Sequence, residues 1–214
     1  MDEEITIINQ NTRNEKIKNF FINNKKNLII SIFSILILIF CYFAYEEFQT
    51  KKKVKISNNY NILSLSFIEE NKLEVKNEMI KIINKKDRTY SPLALYFIID
   101  NNIITSPNEI NRLFDVILNI SKLDDEIKNL IIYKKALFNS DFETENNLLK
   151  ILNPVLNSNS IWKSHALYLM AEFFLNRNEK QKAKEFFEKI LILDNSNPNI
   201  KLESQKRIKK NFSE

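Results

Sequence analysis

Glycine is absent from the 214 residues, proline occurs four times, and cysteine, histidine and tryptophan occur once each. Without glycine, β-hairpin turns and phosphate-cradling loops lose the residue that takes positive φ at no steric cost. An all-α chain becomes the leading class. Asparagine tolerates the left-handed region next best, and it stands where glycine ordinarily closes a helix. A single cysteine excludes an intramolecular disulfide and a thiolate metal site. The single histidine, His165, has no serine or cysteine arranged about it in sequence, whereas triads and zinc sites need several such groups. It reads as a surface or half-buried residue one turn after Trp162. No catalytic group, metal or cofactor is expected. The acidic run Asp124, Asp125 and Glu126 falls in the first turn of a helix, where carboxylates complement the macrodipole.

What is present is a long apolar run, Leu28 to Tyr45, with no charge between Lys26 and Glu46. As a helix rising about 1.5 Å per residue it covers roughly 27 Å, close to the ~30 Å hydrocarbon core once flanking side chains snorkel. A soluble core helix of that length would carry a polar stripe, and this one has only Ser31 and Ser34. The run is therefore expected to span a membrane once, as a segment 27–46. Cys41 lies inside it behind bulky Ile39 and Phe40, unlike a lipidated cysteine, which follows small residues. The polar stretch 1–26 is expected to be a tail with an Ile-Phe-Phe cluster. It is too long and too acidic for a signal-peptide n-region, and no small-residue cleavage site follows the apolar run, so an uncleaved anchor is expected. Lys25 and Lys26 abut the span on one side, Glu46 and Glu47 on the other, which favours a cytoplasmic N-terminus.

The net charge is +5, but lysine alternates with glutamate and aspartate at helical spacing and forms no single patch, so no nucleic-acid partner is expected. Beyond a connector at 47–56, residues 57–214 have the size of one domain with a real core. Tyr60, Leu63, Phe67 and Ile68, then Val75, Met79 and Ile82, mark an antiparallel helix pair. Ser91-Pro92 and Ser106-Pro107-Asn108-Glu109 mark helix starts, the second a capping box with proline at the first helical position. Leu123 to Phe138 makes a helix with Leu123, Ile127, Leu130, Ile131, the Lys134 stem and Leu137 on its apolar face. Phe142 to Leu152 makes another, ended by Pro154. The basic C-terminus (Lys201, Lys206, Arg207, Lys209, Lys210) reads as a solvated capping helix, or as a surface for anionic lipid or an acidic partner.

The last segment, from Ile161 to Pro198, holds two amphipathic helices broken at Asn176-Arg177-Asn178. Leu167, Met170, Ala171, Phe174, Ala183, Phe187 and Ile190 fall at the spacings of a tetratricopeptide repeat, with Ala171 and Ala183 where the two helices approach closest. Ala171 and Asn178 replace the usual glycines, and the earlier hairpins match only loosely. Trp162 has two readings, packing beneath the repeat or contacting a partner peptide. The order of tail, span, Tyr90-x-x-Leu93-Ala94, Leu152-x-Pro154, Trp162-x3-Ala166 and Ala183-x3-Phe187 resembles the tetratricopeptide-like family of the ancillary Sec translocon subunit (YfgM-like proteins). That resemblance implies an α-solenoid of degenerate hairpins behind one transmembrane helix. It places the domain in the periplasm of a bacterial inner membrane, with Sec translocon subunits, periplasmic chaperones or secreted polypeptides as partners. An envelope scaffold acting by self-association, or by tethering a cell-wall or division complex, is the alternative.

Overall fold

The computed structural model describes residues 2–212, and among these the regular structure is helical, with no strand. The helices are α1 (Asp2–Asn23), α2 (Lys25–Leu65), α3 (Lys72–Asn84), α4 (Tyr90–Asp100), α5 (Pro107–Leu118), α6 (Asp125–Asn139), α7 (Glu145–Leu156), α8 (Lys163–Asn176), α9 (Lys180–Leu191) and α10 (Pro198–Phe212), with one 3-10 turn at Glu69–Asn71. The chain forms two compact units, one ending at Lys55 and one beginning at Ile56.

In the first unit the stretch expected to be a tail is helix α1. It has no proline or glycine to stop it, and Asn24 N–H donates to the Phe20 carbonyl while Leu28 N–H donates to that of Asn24. The apolar run forms part of α2, and none of its side chains from Leu28 to Tyr45 is buried. By length and composition α2 is able to cross a membrane. The residues expected to be a connector, 47–56, continue α2 without a break; Glu47 and Lys51 pair at 3.1 Å one turn apart, and both are exposed. Such pairs contribute only about 0.3–0.5 kcal/mol, so the continuity rests on the absence of any breaker.

The second unit is built on two apolar clusters. The first gathers Ile56, Val75, Met79, Ile82, Ile83, Leu95, Ile98, Phe114 and their neighbours from the end of α2 through α5. The second gathers Ile132, Ala136, Leu148, Leu152 and most of the inward residues of α8 and α9. Leu118 packs against both. Between α5 and α6 the amides of Asn111 and Asn139 exchange two hydrogen bonds of 2.8 Å, with Asn139 fully buried. The exchange satisfies groups that would otherwise be costly to desolvate. Helix α10 lays Ile200, Ile208 and Phe212 on the second cluster.

Several local expectations shift. Helix α4 begins at Tyr90, ahead of Ser91, because the Asp87 carboxylate accepts from Thr89 and Tyr90 N–H at 2.9 and 2.7 Å. Ser91 is then free to face inward, donating to the Ile82 carbonyl at 3.0 Å. Ser106 caps α5, accepting from Glu109 N–H at 3.4 Å, but the box stays half closed. The Glu109 carboxylate is drawn instead to Lys76 on α3 at 3.1 Å. Pro154 does not end its helix; it sits inside α7, which runs on to Leu156. In the last turn a proline forfeits only one backbone bond, and Val155 is fully buried just beyond it. Among the described residues the positive-φ corners are Lys86, Asn102, Lys122 and Asn178, so lysine shares with asparagine the positions that glycine would fill.

Candidate functional site

Helices α8 and α9 form the hairpin at the C-terminal end of the array. Met170, Ala171, Ala183, Phe187 and Ile190 are fully buried there, Phe174 nearly so, and Leu167 just within the buried range. The methyl-sized side chains of Ala171 and Ala183 fill space that admits nothing larger without moving a backbone. Asn178, at φ 62°, makes the corner between the helices.

Trp162 is half-buried at the start of α8. Its ring stacks on Tyr133 of α6, centroid to centroid 5.9 Å at 20°, and meets His165 at 5.0 Å. Ser160 organises this corner: its hydroxyl accepts from Trp162 N–H at 3.1 Å and donates to the Glu126 carboxylate at 2.7 Å. Burial pushes the His165 pKa below the usual histidine value, against a smaller opposing effect of the Ile161 backbone. The imidazole lies against the Tyr133 and Trp162 rings. Asp124 caps α6, accepting from Glu126 and Ile127 N–H at 2.9 and 3.3 Å. Among the described residues no three histidine, cysteine, aspartate or glutamate side chains gather at a metal-binding distance. In the basic C-terminus, Lys206 pairs with Glu203 at 2.6 Å and Arg207 with Glu172 of α8 at 2.8 Å, so part of that charge is tied up within the fold.

The surface that sequence periodicity misread lies on α6. Of the face expected to be apolar and inward, only Ile131 is buried, Ile127 is 41% exposed and Leu137 46% exposed. The core instead takes Ile131, Ile132, Ala136 and Asn139. Between α4 and α6 a cavity of about 160 Å³ is lined by Tyr96, Ile99, Asp100, Phe114, Lys134, Leu137 and Phe138. The Lys134 ammonium sits 4.7 Å above the Tyr96 ring. The Tyr96 hydroxyl is buried without a hydrogen-bond partner, and burial pushes its pKa up to about 12. A separate cavity, between the end of α6 and the face of α8, has about 190 Å³ and is lined by Ser140, Asp141, Leu169, Glu172, Phe173, Asn176 and Arg177. The Arg177 guanidinium lies 3.9 Å over Phe173 and donates to the Glu143 carbonyl at 2.9 Å. Tyr96, Asp141 and Glu172 carry no signal in the sequence, because what singles them out is the neighbour supplied by another helix.

These features define a class: an all-α protein in which one apolar helix, long enough to cross a membrane, precedes an array of helical hairpins. Among curated proteins, the chain is 25% identical over 189 residues to the ancillary SecYEG translocon subunit of Buchnera aphidicola subsp. Acyrthosiphon pisum (strain APS), an alignment covering 81% of this chain and 89% of that protein. The family resemblance read from the sequence is borne out by this relative. No protein-family model matches the chain, and no solved structure matches it.

Proposed function

We propose that the chain is a single-pass, membrane-anchored interaction protein that serves as an accessory subunit of the Sec translocon, with its helical array on the periplasmic side of the inner membrane. The observation that carries this reading is the relative, an ancillary SecYEG translocon subunit aligned over 81% of the chain. Lys25 and Lys26 before the apolar run, against Glu46 and Glu47 after it, support a cytoplasmic N-terminus. Residues 57–214 are the interacting domain. Leu167, Met170, Ala171, Phe174, Ala183, Phe187 and Ile190 form the packing seam of its last tetratricopeptide-like repeat. Such a role needs no catalytic group; it needs a docking helix in the membrane and a surface for protein segments beyond it. Two modest contacts on one chain reinforce each other through effective concentration.

The test is a pull-down from mild detergent with the full chain and with a chimera carrying a foreign span. Translocon subunits should copurify with the first and be depleted with the second. Recovery of a different envelope complex, or of this chain alone, would replace the translocon reading with the scaffold one. Alkaline phosphatase fused after the C-terminal residue should be active in cells; an inactive fusion would reverse the orientation.

A further inference from the structure

We propose that helix α1 lies along the membrane surface on the N-terminal side of the span, with Ile17, Phe20 and Phe21 inserted among the headgroups of anionic lipid. The proposal rests on the single-pass anchor of the reading above and adds a second membrane contact, made by residues outside the span.

Helical spacing sets the face. Ile17, Phe20 and Phe21 are exposed large side chains three and four residues apart, and the two phenylalanine rings meet edge to face at 6.0 Å. Lys16 and Lys18 stand one residue before and after Ile17, about 100° to either side of it around the helix. Glu15, Asn19 and Asn23 fall opposite, and Ile22 is the one apolar residue of this stretch that turns away from the face. Lysines at both edges can keep their stems on the apolar surface and their ammonium groups on lipid phosphates.

Charge and position identify the occupant. Between residues 13 and 26, Arg13, Lys16, Lys18, Lys25 and Lys26 stand against a single carboxylate, Glu15. A basic cluster next to a span is drawn to anionic lipid, and this one ends at Lys26, just before the apolar run begins at Leu28. Asp2, Glu3 and Glu4 lie at the far end of α1, about 20 Å or more before Ile17 along the helix, beyond the Debye length at physiological salt.

A straight continuation of α2 would carry Phe20 about 12 Å past Leu28, outside a headgroup layer of roughly 5–8 Å, and leave both phenylalanines in water. The chain has a joint that avoids this. Helix α1 stops at Asn23 and α2 starts at Lys25; between them the Asn24 side-chain amide donates to the Phe20 carbonyl at 3.0 Å, beside the backbone N–H of the same residue. When that backbone bond opens the carbonyl keeps a donor, so a bend here sacrifices little hydrogen bonding.

The test uses the full chain, one copy per nanodisc, in phosphatidylcholine alone or mixed with phosphatidylglycerol. With Cys41→Ser as background, nitroxide labels introduced through Ile17→Cys or Asn19→Cys report collision with oxygen, which concentrates in lipid, and with a water-soluble nickel chelate. In the anionic discs the label at position 17 should favour oxygen and the label at position 19 nickel, whereas in phosphatidylcholine alone both should favour nickel. Lys16→Gln with Lys18→Gln removes two charges, each favouring the docked helix about fivefold near an anionic surface, so the docked-to-free ratio in the nitroxide spectrum should fall about tenfold or more. Nickel access at both positions in the anionic discs, equal docking with and without phosphatidylglycerol, or a docked fraction indifferent to the two lysines would each overturn the proposal. A label on native Cys41 separates the two readings. Cys41 in lipid with position 17 in water removes the surface helix alone, whereas Cys41 in water removes the anchor and the surface helix together.

Discussion

Replacing Ala183 with leucine tests whether α8 and α9 pack as tightly as their small residues imply. Ala183 and Ala171 are both fully buried, and Phe174 and Phe187 close the seam around them, so there is no void for three added carbons. Overpacking of this kind costs about 1–3 kcal/mol. For a cooperative unit of this size each kcal/mol lowers the melting temperature by about 2–4 °C, so a fall of roughly 2–12 °C is expected. Ala183→Ser should cost less, because a serine hydroxyl is able to bond the carbonyl one turn back, here Glu179. Lys180→Ala, on an exposed position of the same helix, should leave the melt unchanged. Lys182 would be a poor control, since it bridges Glu145 of α7 at 2.7 Å and Glu179 at 2.8 Å. Thermal unfolding of the full chain in detergent, followed by far-ultraviolet circular dichroism, reads the difference. Equal melting temperatures for Ala183→Leu and Lys180→Ala would refute the packing seam.

Two further perturbations follow from the same packing. His165 has its pKa lowered by burial, so it contributes stability above the ordinary histidine pKa that is lost as pH falls through its folded value; the melting temperature should drop on acidification, and less so in His165→Gln. A pH profile unchanged by that substitution would place the imidazole in water. Asn111→Ala should destabilise by about 1–3 kcal/mol by leaving the buried Asn139 amide short of a partner, whereas Asn111→Leu with Asn139→Leu should recover much of the loss. Urea unfolding of the two variants separates the outcomes, and an equal loss in both would mean that the pair is valued for shape alone.

Elements whose signals are local were legible in the sequence. Leu28 to Tyr45 declares itself by length and lack of charge, and Ser106 caps a helix because its oxygen needs only a backbone N–H within three residues; Asp124, expected in the first turn of α6, stands one position earlier as its cap. The expectations that moved depend on partners distant in the chain. Glu109 leaves its own capping box for Lys76, and Pro154 is carried inside α7 by the burial of Val155. Periodicity identified α6 as amphipathic but not which side of it is covered. Ile127, Leu130 and Leu137 form as good a stripe as Ile131, Ile132 and Ala136, and only the neighbouring helices decide between them. The same holds for Tyr96, whose isolation is a fact about what surrounds its hydroxyl.

The division of the hairpin array into two apolar clusters, with adjacent Ile131 and Ile132 falling on opposite sides and Leu118 shared, gives the domain an internal seam. Each cluster is knit by its own helices, while α6 straddles the boundary and also lines the cavity beside Tyr96. In an array stabilised by neighbouring interfaces, α6 is therefore the helix whose unfolding would strip both clusters at once, since it lends Ile131 to one and Ile132 and Ala136 to the other.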